Sequence, residues 1–200
     1  MDPSYLLQLN PQQREAVCNN DAPSLVIAGA GSGKTRVLTT KIAYLMDVVG
    51  IRPENIMALT FTNKAAMEMK QRIASMVGAQ SAMRITMGTF HSVFARILRR
   101  EYSHIGFSSN FTIYDTDDSK RVLKDVIKEL NLDEKAFQPK SVLATISHAK
   151  DQYQSPADCA KAHAAESDWK MARIAKIYEK YAQKLRSANA LDFDDIIYHT

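Results

Sequence analysis

Cysteine is scarce in this sequence, with only Cys18 and Cys159 among 200 residues. The two lie far apart and form no CxxC pair, which excludes a disulfide framework and argues against a zinc site. We expect both to be buried as small hydrophobic side chains in a reducing compartment.

Long apolar runs are also missing. No stretch approaches the roughly 18 apolar residues of a membrane-spanning helix. Residues 1–15 have neither the basic start nor the apolar stretch of a signal peptide. We therefore expect a soluble, cytoplasmic protein that does not contact membranes.

Glycine and proline are few, at 7 and 6 residues, and no linker rich in either of them and no internal repeat is visible. A composition of 46% hydrophobic and 24% charged residues excludes collagen and disordered proteins. The length predicts one domain, or one domain and part of another. The net charge of +4 permits a polyanionic partner but is too small to require one.

Three apolar runs in the first half alternate with helical patterns. Residues 24–28 form a short run that leads into a glycine-rich loop and a helical pattern, and residues 55–60 and 84–87 are two further strand candidates. Asn63 is suited to cap the helix after the second strand. Strands that alternate with helices predict an α/β fold with a parallel sheet covered on both faces.

The second half has a different pattern. Asp115 or Thr116 can cap a helix, and residues 169–185 have apolar side chains at the spacing of a second helix. This pattern predicts an all-helical subdomain inserted into the α/β domain. The predicted segments are residues 1–90 for the first part of the α/β domain, 91–190 for the insertion and 191–200 for the return toward the α/β domain.

The loop after the first apolar run has the spacing of a phosphate-binding P-loop, with alanine in place of the first glycine. Its residues are Ala28, Gly29, Ala30, Gly31, Ser32, Gly33, Lys34 and Thr35. Glycines allow successive amides to point at phosphate oxygens, and the following helix adds its positive amino end. Lys34 suits the β- and γ-phosphates, and the Thr35 hydroxyl suits Mg²⁺. The alternative is a glycine turn followed by a solvated lysine.

Five segments together resemble the UvrD/Rep/PcrA group of superfamily 1 DNA helicases in order and approximate spacing. They are residues 9–16 (LNPQQREA), 28–35 (AGAGSGKT), 59–66 (LTFTNKAA), 88–92 (GTFHS) and 191–195 (LDFDD). The resemblance implies a RecA-like P-loop motor domain interrupted by a helical subdomain. It also implies ATP and Mg²⁺ as cofactors, catalytic roles for Lys34 and Thr35, and movement along single-stranded DNA with 3′-to-5′ polarity.

The same resemblance assigns adenine recognition to Gln13. A carboxamide donates and accepts at once, so it can pair with the N6 amino group and N7 of adenine and discriminate against guanine. A helix-capping or surface glutamine is the alternative. Arg36, just after the loop, could lay its guanidinium on the base or be an ordinary exposed arginine.

Two further segments follow predicted strands, at the edge where open α/β sheets bind ligands. The resemblance implies that both contact single-stranded DNA, through Thr60, Phe61, Thr62 and Asn63 in the first and Thr89, His91 and Ser92 in the second. Their hydroxyl, amide and imidazole groups suit phosphate and sugar, and Phe61 could stack on a base. A core position for Phe61 and a buried, turn-orienting His91 are the alternatives.

Charged residues near the end of the chain each allow two interpretations. Asp192, Asp194 and Asp195 could bind a metal ion, but aspartates at a helix start more often cap the helix. A basic stripe on the last long helix is either a solvated face or a contact for duplex DNA that flanks the single strand. The stripe consists of Lys170, Arg173, Lys176, Lys180 and Lys184.

The resembled family needs an Asp-Glu pair after an apolar strand downstream of the P-loop, and this sequence has no such pair. The second motor domain is missing too, with its arginine finger, which is worth about 10³–10⁵ in rate. We therefore expect the N-terminal piece of a longer DNA helicase, nearly inactive alone. Its expected partners are single-stranded DNA, the junction of single- and double-stranded DNA, and the missing C-terminal motor domain.

Two other function classes stay open. A P-loop kinase or ATPase that acts on a small molecule would not bind single-stranded DNA. A non-catalytic nucleic-acid-binding module would not bind Mg·ATP. A helicase-nuclease subunit is a closer variant that these residues do not separate from a helicase.

Overall fold

The computed structural model describes residues 3–162 and 169–200, and the chain divides into two compact units, Met1–Val93 and Phe94–Thr200. The first unit contains α1 (Pro11–Cys18), α2 (Lys34–Asp47), β1 (Met57–Thr60), α3 (Asn63–Val77), α4 (Ala79–Arg84) and β2 (Thr86–Thr89), with 3-10 turns at Ser4–Gln8 and Pro53–Asn55. α5 (Phe90–Arg100) begins in the first unit and ends in the second. No helix within the described ranges is long and apolar enough to cross a membrane.

β1 and β2 form a parallel two-stranded sheet, with a helical crossover between them as parallel strands require. Ala58 on β1 packs in one buried apolar cluster with Ile42 of α2 and Ile73 of α3. This cluster is the core of the first unit. It confirms the parallel βαβ unit predicted for this region, although β1 and β2 begin at Met57 and Thr86 because a 3-10 turn and α4 occupy the residues before them.

The strand predicted for residues 24–28 does not form. Leu25 and Ile27 are 86% and 89% exposed, and in the described part of the chain the only strand that pairs with β1 is β2. A strand needs a paired neighbour and buried side chains for its stability. The prediction was wrong because apolar content indicates that a segment can be buried, not that a partner strand lies beside it.

α3 is capped by Thr62 and not by Asn63 as predicted. The Thr62 hydroxyl accepts a hydrogen bond from the Ala65 amide at 3.1 Å, and the backbone of Thr62 is extended, as an N-cap requires. Asn63 is instead the first helical residue. Threonine and asparagine both make good caps, so the local sequence does not decide between these adjacent positions.

The second unit is mostly helical. Its elements after α5 are β3 (Thr112–Ile113), α6 (Thr116–Glu129), α7 (Pro139–Asp151), α8 (Pro156–Ala162), α9 (Trp169–Ser187), β4 (Ala190–Leu191) and α10 (Phe193–Tyr198). Asp115 caps α6 through a capping box with Asp118, which confirms the first of the two predicted cap positions. The core of this unit includes the buried residues Leu123, Ile146 and Ile177, one from each of its three longest helices.

β3 and β4 pair in parallel, with Ile113 opposite Leu191. Two-residue strands are too short to show an alternating pattern, so the sequence does not indicate them. Leu191 and Ile196 pack in a buried cluster with Phe111. Residues 191–200 therefore pack within the second unit, whose boundary lies after Val93 instead of residue 90, and their return toward the α/β domain stays a prediction.

The two cysteines are free thiols and only half-buried, so the prediction that both are buried was wrong. Cys159 lies on α8 against the edge of the helical core, and burial raises the pKa of its thiol. Cys18 is the last residue of α1, a helix in which only Val17 is buried.

Candidate nucleotide and DNA site

The phosphate loop, residues 28–33, lies directly before α2. Gly31 and Gly33 have φ angles of +76° and +86°, a region that glycine adopts without strain. A Cβ atom at Gly33 would lie 2.8 Å from Nε2 of Gln13. No side chain larger than that of Ser32 occurs between residues 29 and 33, and the loop is largely exposed. The loop amides are therefore accessible to a phosphate group.

Lys34 and Thr35 form the first turn of α2, and both are exposed. Nζ of Lys34 donates hydrogen bonds to the carbonyl oxygens of Ala28 at 2.9 Å and Gly29 at 2.7 Å. The ammonium group thus lies over the loop at the amino end of a 14-residue helix, where the helix dipole favours an anion. These amides, the ammonium group and the Thr35 hydroxyl fit the phosphates of ATP and a Mg²⁺ ion.

Gln13 is held on both sides of its carboxamide. Its Oε1 accepts a hydrogen bond from the Asn10 amide at 3.1 Å, while Asn10 Oδ1 accepts from the Gln13 amide at 2.8 Å, and together these bonds form a capping box. Nε2 of Gln13 donates to the main-chain carbonyl of Ser32 at 2.9 Å. A carboxamide offers two donors and two acceptor lone pairs, so one donor and one acceptor remain for the N7 and N6 groups of adenine. The capping role and the adenine role are therefore compatible.

Two other residues of α2 bear on this region. Arg36 is exposed on the first turn of the helix, so both interpretations of it stay open. Lys41, which the sequence analysis missed, contacts oxygen atoms at the end of α1. A helical pattern predicts that such a lysine is solvated, and its contacts with α1 depend on the packing of the two helices.

The two segments expected to contact DNA lie together at the carboxyl edge of the sheet. Thr60, the last residue of β1, pairs with Thr89, the last residue of β2. α3 and α5 begin just after these strands, with the Thr62 hydroxyl as the cap of α3. The Thr89 hydroxyl accepts a hydrogen bond from the Ser92 amide at 3.2 Å at the start of α5. This edge therefore presents two helix amino ends lined with hydroxyl groups.

Phe61 and His91 both lie on this edge and outside the core. Phe61 is 89% exposed, and His91 is exposed in the first turn of α5. The core interpretation of Phe61 and the buried interpretation of His91 were therefore wrong. Asn63 and Ser92 are exposed as well, so the polar and aromatic groups of both segments are accessible to a ligand.

The aspartates after β4 form a buried ion-pair cluster. Asp192 caps α10 and Asp195 completes the capping box, which confirms the capping interpretation. Nζ of Lys150 lies 2.7 Å from a carboxylate oxygen of each of them. The Tyr181 hydroxyl donates a hydrogen bond to Asp192 at 2.8 Å. Lys150 is only 5% exposed, and the sequence analysis missed it because a helical lysine is usually solvated.

Burial and charge oppose each other in this cluster. Burial raises the pKa of Asp195 to about 6, although Lys150 acts to lower it. Burial is the largest influence on Asp192 and acts to raise its pKa, but the charge of Lys150 and the hydrogen bonds from Lys150, the Asp195 amide and Tyr181 together outweigh it, so the pKa of Asp192 is lowered. Burial acts to lower the pKa of Lys150, but the two carboxylates outweigh it and raise that pKa. Lys150 therefore stays protonated at neutral pH and joins α7 to the start of α10.

Other charged residues of the second unit also have partners. Asp194 accepts a hydrogen bond from the Ser147 hydroxyl at 2.6 Å. Lys180 and Lys184, in the predicted basic stripe, both form ion pairs with Glu129 of α6. The three residues of the stripe nearer the amino end of α9 are exposed. The stripe is therefore not a uniformly solvated face.

Comparison with known sequences places the chain in a family. Residues 9–200 match the sequence model of the UvrD/REP helicase N-terminal domain, and the chain belongs to that family. It is 47% identical over 197 residues to the ATP-dependent DNA helicase PcrA of Staphylococcus aureus (strain Mu50), a match that covers 98% of this chain and 26% of that protein. The protein of the same name from Staphylococcus epidermidis is 47% identical over 192 residues, or 96% of this chain and 26% of the relative. The chain thus spans about a quarter of the length of these curated relatives.

Proposed function

We propose that this chain is the ATP-binding, strand-contacting N-terminal part of a DNA helicase. The parent protein couples ATP hydrolysis to movement along single-stranded DNA and separates the duplex, with 3′-to-5′ polarity. The names of the relatives support this proposal. A helicase acts where DNA is, so the proposal includes a cytoplasmic location in a bacterial cell.

The observation that carries the proposal is that one core supports both halves of the site. α2, which begins at the phosphate loop, contributes Ile42 to the same buried cluster as Ala58 of β1. β1 ends at Thr60, on the edge expected to contact DNA. The phosphate loop and the DNA edge are therefore supported by the same packed elements, which supports a function that uses both sites together.

In this proposal the first unit is part of a RecA-like motor domain. The loop amides and Lys34 hold the β- and γ-phosphates, Thr35 holds Mg²⁺, and Gln13 pairs with adenine. When bound, the Mg²⁺ ion neutralises charge that develops on the phosphates. Lys34 then exchanges its hydrogen bonds to the loop carbonyls for bonds to phosphate oxygens.

The carboxyl edge of the sheet contacts the DNA backbone in this proposal. Hydroxyl groups and helix amino ends bind phosphates without reading the base sequence, and Phe61 stacks on a base. The contacting residues are those expected from the family, namely Thr60, Phe61, Thr62, Asn63, Thr89, His91 and Ser92. The junction with duplex DNA lies beyond this strand.

The rest of the parent chain supplies the second motor domain, its arginine finger and the acidic pair that holds Mg²⁺. Translocation needs two motor domains that close on ATP and open on product release. The 200 residues alone should therefore bind nucleotide weakly and hydrolyse it very slowly. This part of the proposal agrees with the match to the PcrA helicase of Staphylococcus aureus, in which the chain covers 26% of that protein's length.

The proposal is tested in the full protein that carries this chain. Calorimetry should show Mg·ATP binding that Lys34→Ala removes, and ATP hydrolysis should rise when single-stranded DNA is added. Equal heats from both proteins would support a non-catalytic nucleic-acid-binding module. Hydrolysis without any DNA binding would support a P-loop enzyme that acts on a small molecule.

A further inference from the structure

α1 carries Gln13, but little within the helix itself holds it in place. The helix has eight residues, and only Val17 among them is buried. Helices shorter than about 12 residues are marginal in water without tertiary contacts. The position of α1, and with it the position of Gln13, must therefore come from tertiary contacts, which include packing along α2 and bonds at its two ends.

The carboxyl end of α1 is held by a single ammonium group. Nζ of Lys41 lies 3.3 Å from the carbonyl oxygen of Ala16 and 3.4 Å from that of Val17, and it also donates to the carbonyl of Asn19 and to Oδ1 of Asn20, the latter at 3.0 Å. The last carbonyls of a helix have no partner within the helix and carry partial negative charge, so a cation is favourable there. Four oxygen atoms thus converge on one lysine.

Lys41 and Lys34 lie on the same face of α2, since seven residues make about two turns and rise about 10 Å. The rise along α1 from Gln13 to its C-cap Asn19 is about 9 Å, at about 1.5 Å per residue, which is close to that value. At the amino end Gln13 bonds to Ser32 in the phosphate loop, and at the other end Asn19 bonds to Lys41. α1 therefore lies alongside α2, attached to the phosphate loop at its amino end and to α2 at its carboxyl end.

We propose that Lys41 is a positioning residue for adenine recognition, because by holding the carboxyl end of α1 to α2 it keeps the Gln13 carboxamide in register with the phosphate loop. The inference rests on the proposed function, since it takes ATP as the ligand. Lys41 acts through α1, because the four oxygen atoms around its ammonium group all belong to the end of that helix or the residues just after it. The phosphates are bound by other groups, so their binding does not depend on Lys41.

The test uses the full protein and measures dissociation constants for Mg·ATP, Mg·GTP and Mg·tripolyphosphate by calorimetry. Lys41→Met should weaken ATP binding by roughly three- to tenfold, while GTP and tripolyphosphate binding change little. Lys41→Arg should retain the preference for ATP, because a guanidinium can still donate to the same carbonyls. Lys70→Met, at an exposed position on α3, is the matched control for loss of one lysine and should leave all three constants unchanged.

A double-variant cycle separates positioning from general stability. If Lys41 acts through Gln13, then adding Lys41→Met to Gln13→Ala leaves the ratio of ATP to GTP affinity as it is in Gln13→Ala alone. A merely structural lysine would lower the affinities of all three ligands together in either background. Asn20→Ala leaves the lysine in place and removes one of its acceptors, together with the hydrogen bond that Asn20 Nδ2 donates to the Cys18 carbonyl, so it loosens the same end of α1 and decides the matter if Lys41→Met does not fold. It should reduce the ATP preference by roughly twofold.

The outcomes distinguish this inference from the function on which it rests. No Mg·ATP binding to the unaltered protein would overturn the proposed function, and the inference with it. An unaltered protein that prefers ATP, with the same preference in Lys41→Met and Asn20→Ala, would overturn the inference alone. Equal losses for ATP, GTP and tripolyphosphate in Lys41→Met would overturn it as well.

Discussion

The rings of Phe61 and Phe90 lie in contact, with centroids 5.4 Å apart and planes tilted by 37°. They follow β1 and β2 directly, so the contact forms where the two strands end side by side. Phe61 is nonetheless 89% exposed. The contact orients its ring without burying it, and the exposed ring can receive an unpaired base.

We expect Phe61→Ala to weaken single-stranded DNA binding by about 1–3 kcal/mol, the usual value of one base stacked on an aromatic side chain. The melting temperature should hardly change, because the ring buries little surface. Fluorescence anisotropy with a labelled oligonucleotide measures the affinity. Met83→Ala is the control, since Met83 is 64% exposed on α4, which precedes β2 and lies away from the carboxyl edge. A large fall in melting temperature for Phe61→Ala would assign the ring to the core instead.

Alanine at Gly33 should impair nucleotide binding, whereas alanine at Gly50 should not, although both glycines have positive φ, at +86° and +80°. Either substitution costs about 1–2 kcal/mol of stability, because a Cβ atom is strained in this region. Only at Gly33 does the new Cβ also meet Nε2 of Gln13, whereas the space at Gly50 is open. We therefore expect similar melting temperatures for the two variants but loss of Mg·ATP binding in Gly33→Ala alone. Equal nucleotide affinities in both variants would contradict this account.

Local signals in the sequence were sufficient for the βαβ unit of the first half and for several helices, but not for the cap of α3, which is Thr62 and not Asn63. Asp115 was one of two predicted cap positions, and capping was the favoured interpretation of the aspartates at residues 192, 194 and 195, because a cap depends on three or four neighbouring residues. Residues 24–28 were predicted as a strand and are not one, because strand formation depends on a partner that is distant in sequence. For the same reason, the sequence does not predict the two-residue strands β3 and β4.

The residues of the candidate site also fall into two groups, those that the sequence predicted and those that only the structure shows. The phosphate loop follows from a motif in which chemistry fixes the spacing, whereas an accessible Phe61 was implied by the family resemblance, with a core position as the alternative. Lys41 and Lys150 do not, because a lysine on a helix is normally solvated, and only packing between elements brings oxygen atoms around its ammonium group. The sequence predicted which residues make up the candidate nucleotide site but not what holds Gln13 beside the phosphate loop.

Lys150→Met should lower the free energy of unfolding by about 3–5 kcal/mol at pH 8, since it leaves Asp192 and Asp195 as buried charges without their cation. The loss should be smaller at pH 5. Without Lys150 both carboxyls have a folded-state pKa above the unfolded value near 4, so stability is complete below about pH 4 and is lost as the pH rises through the raised pKa. The pKa of Asp195 is raised to about 6 even with Lys150 present, so the window begins near pH 4 and extends above pH 6.

Urea denaturation at several pH values measures this difference. Adding Asp195→Asn to Lys150→Met should recover part of the stability at pH 8 and little at pH 5, because it removes one of the two buried charges. Lys128→Met, at an exposed position on α6, is the matched control and should be nearly neutral at both values. A loss in Lys150→Met that does not depend on pH would mean that the carboxylates are not what the lysine neutralises.

The basic stripe on α9 has one half that forms ion pairs and one half that is exposed. Lys180 and Lys184 are occupied by Glu129, whereas Arg173 and Lys176 are exposed, so any contact with duplex DNA falls to the exposed half. Each phosphate contact contributes about 0.9 to the slope of log affinity against log salt concentration on duplex DNA. We expect Lys176→Ala to reduce that slope by about this amount on a junction of single- and double-stranded DNA, and to leave the slope on single-stranded DNA unchanged. Lys180→Ala should leave both slopes unchanged. Equal slopes for Lys176→Ala and the unaltered protein on the junction would show that the exposed half of the stripe is only a solvated face.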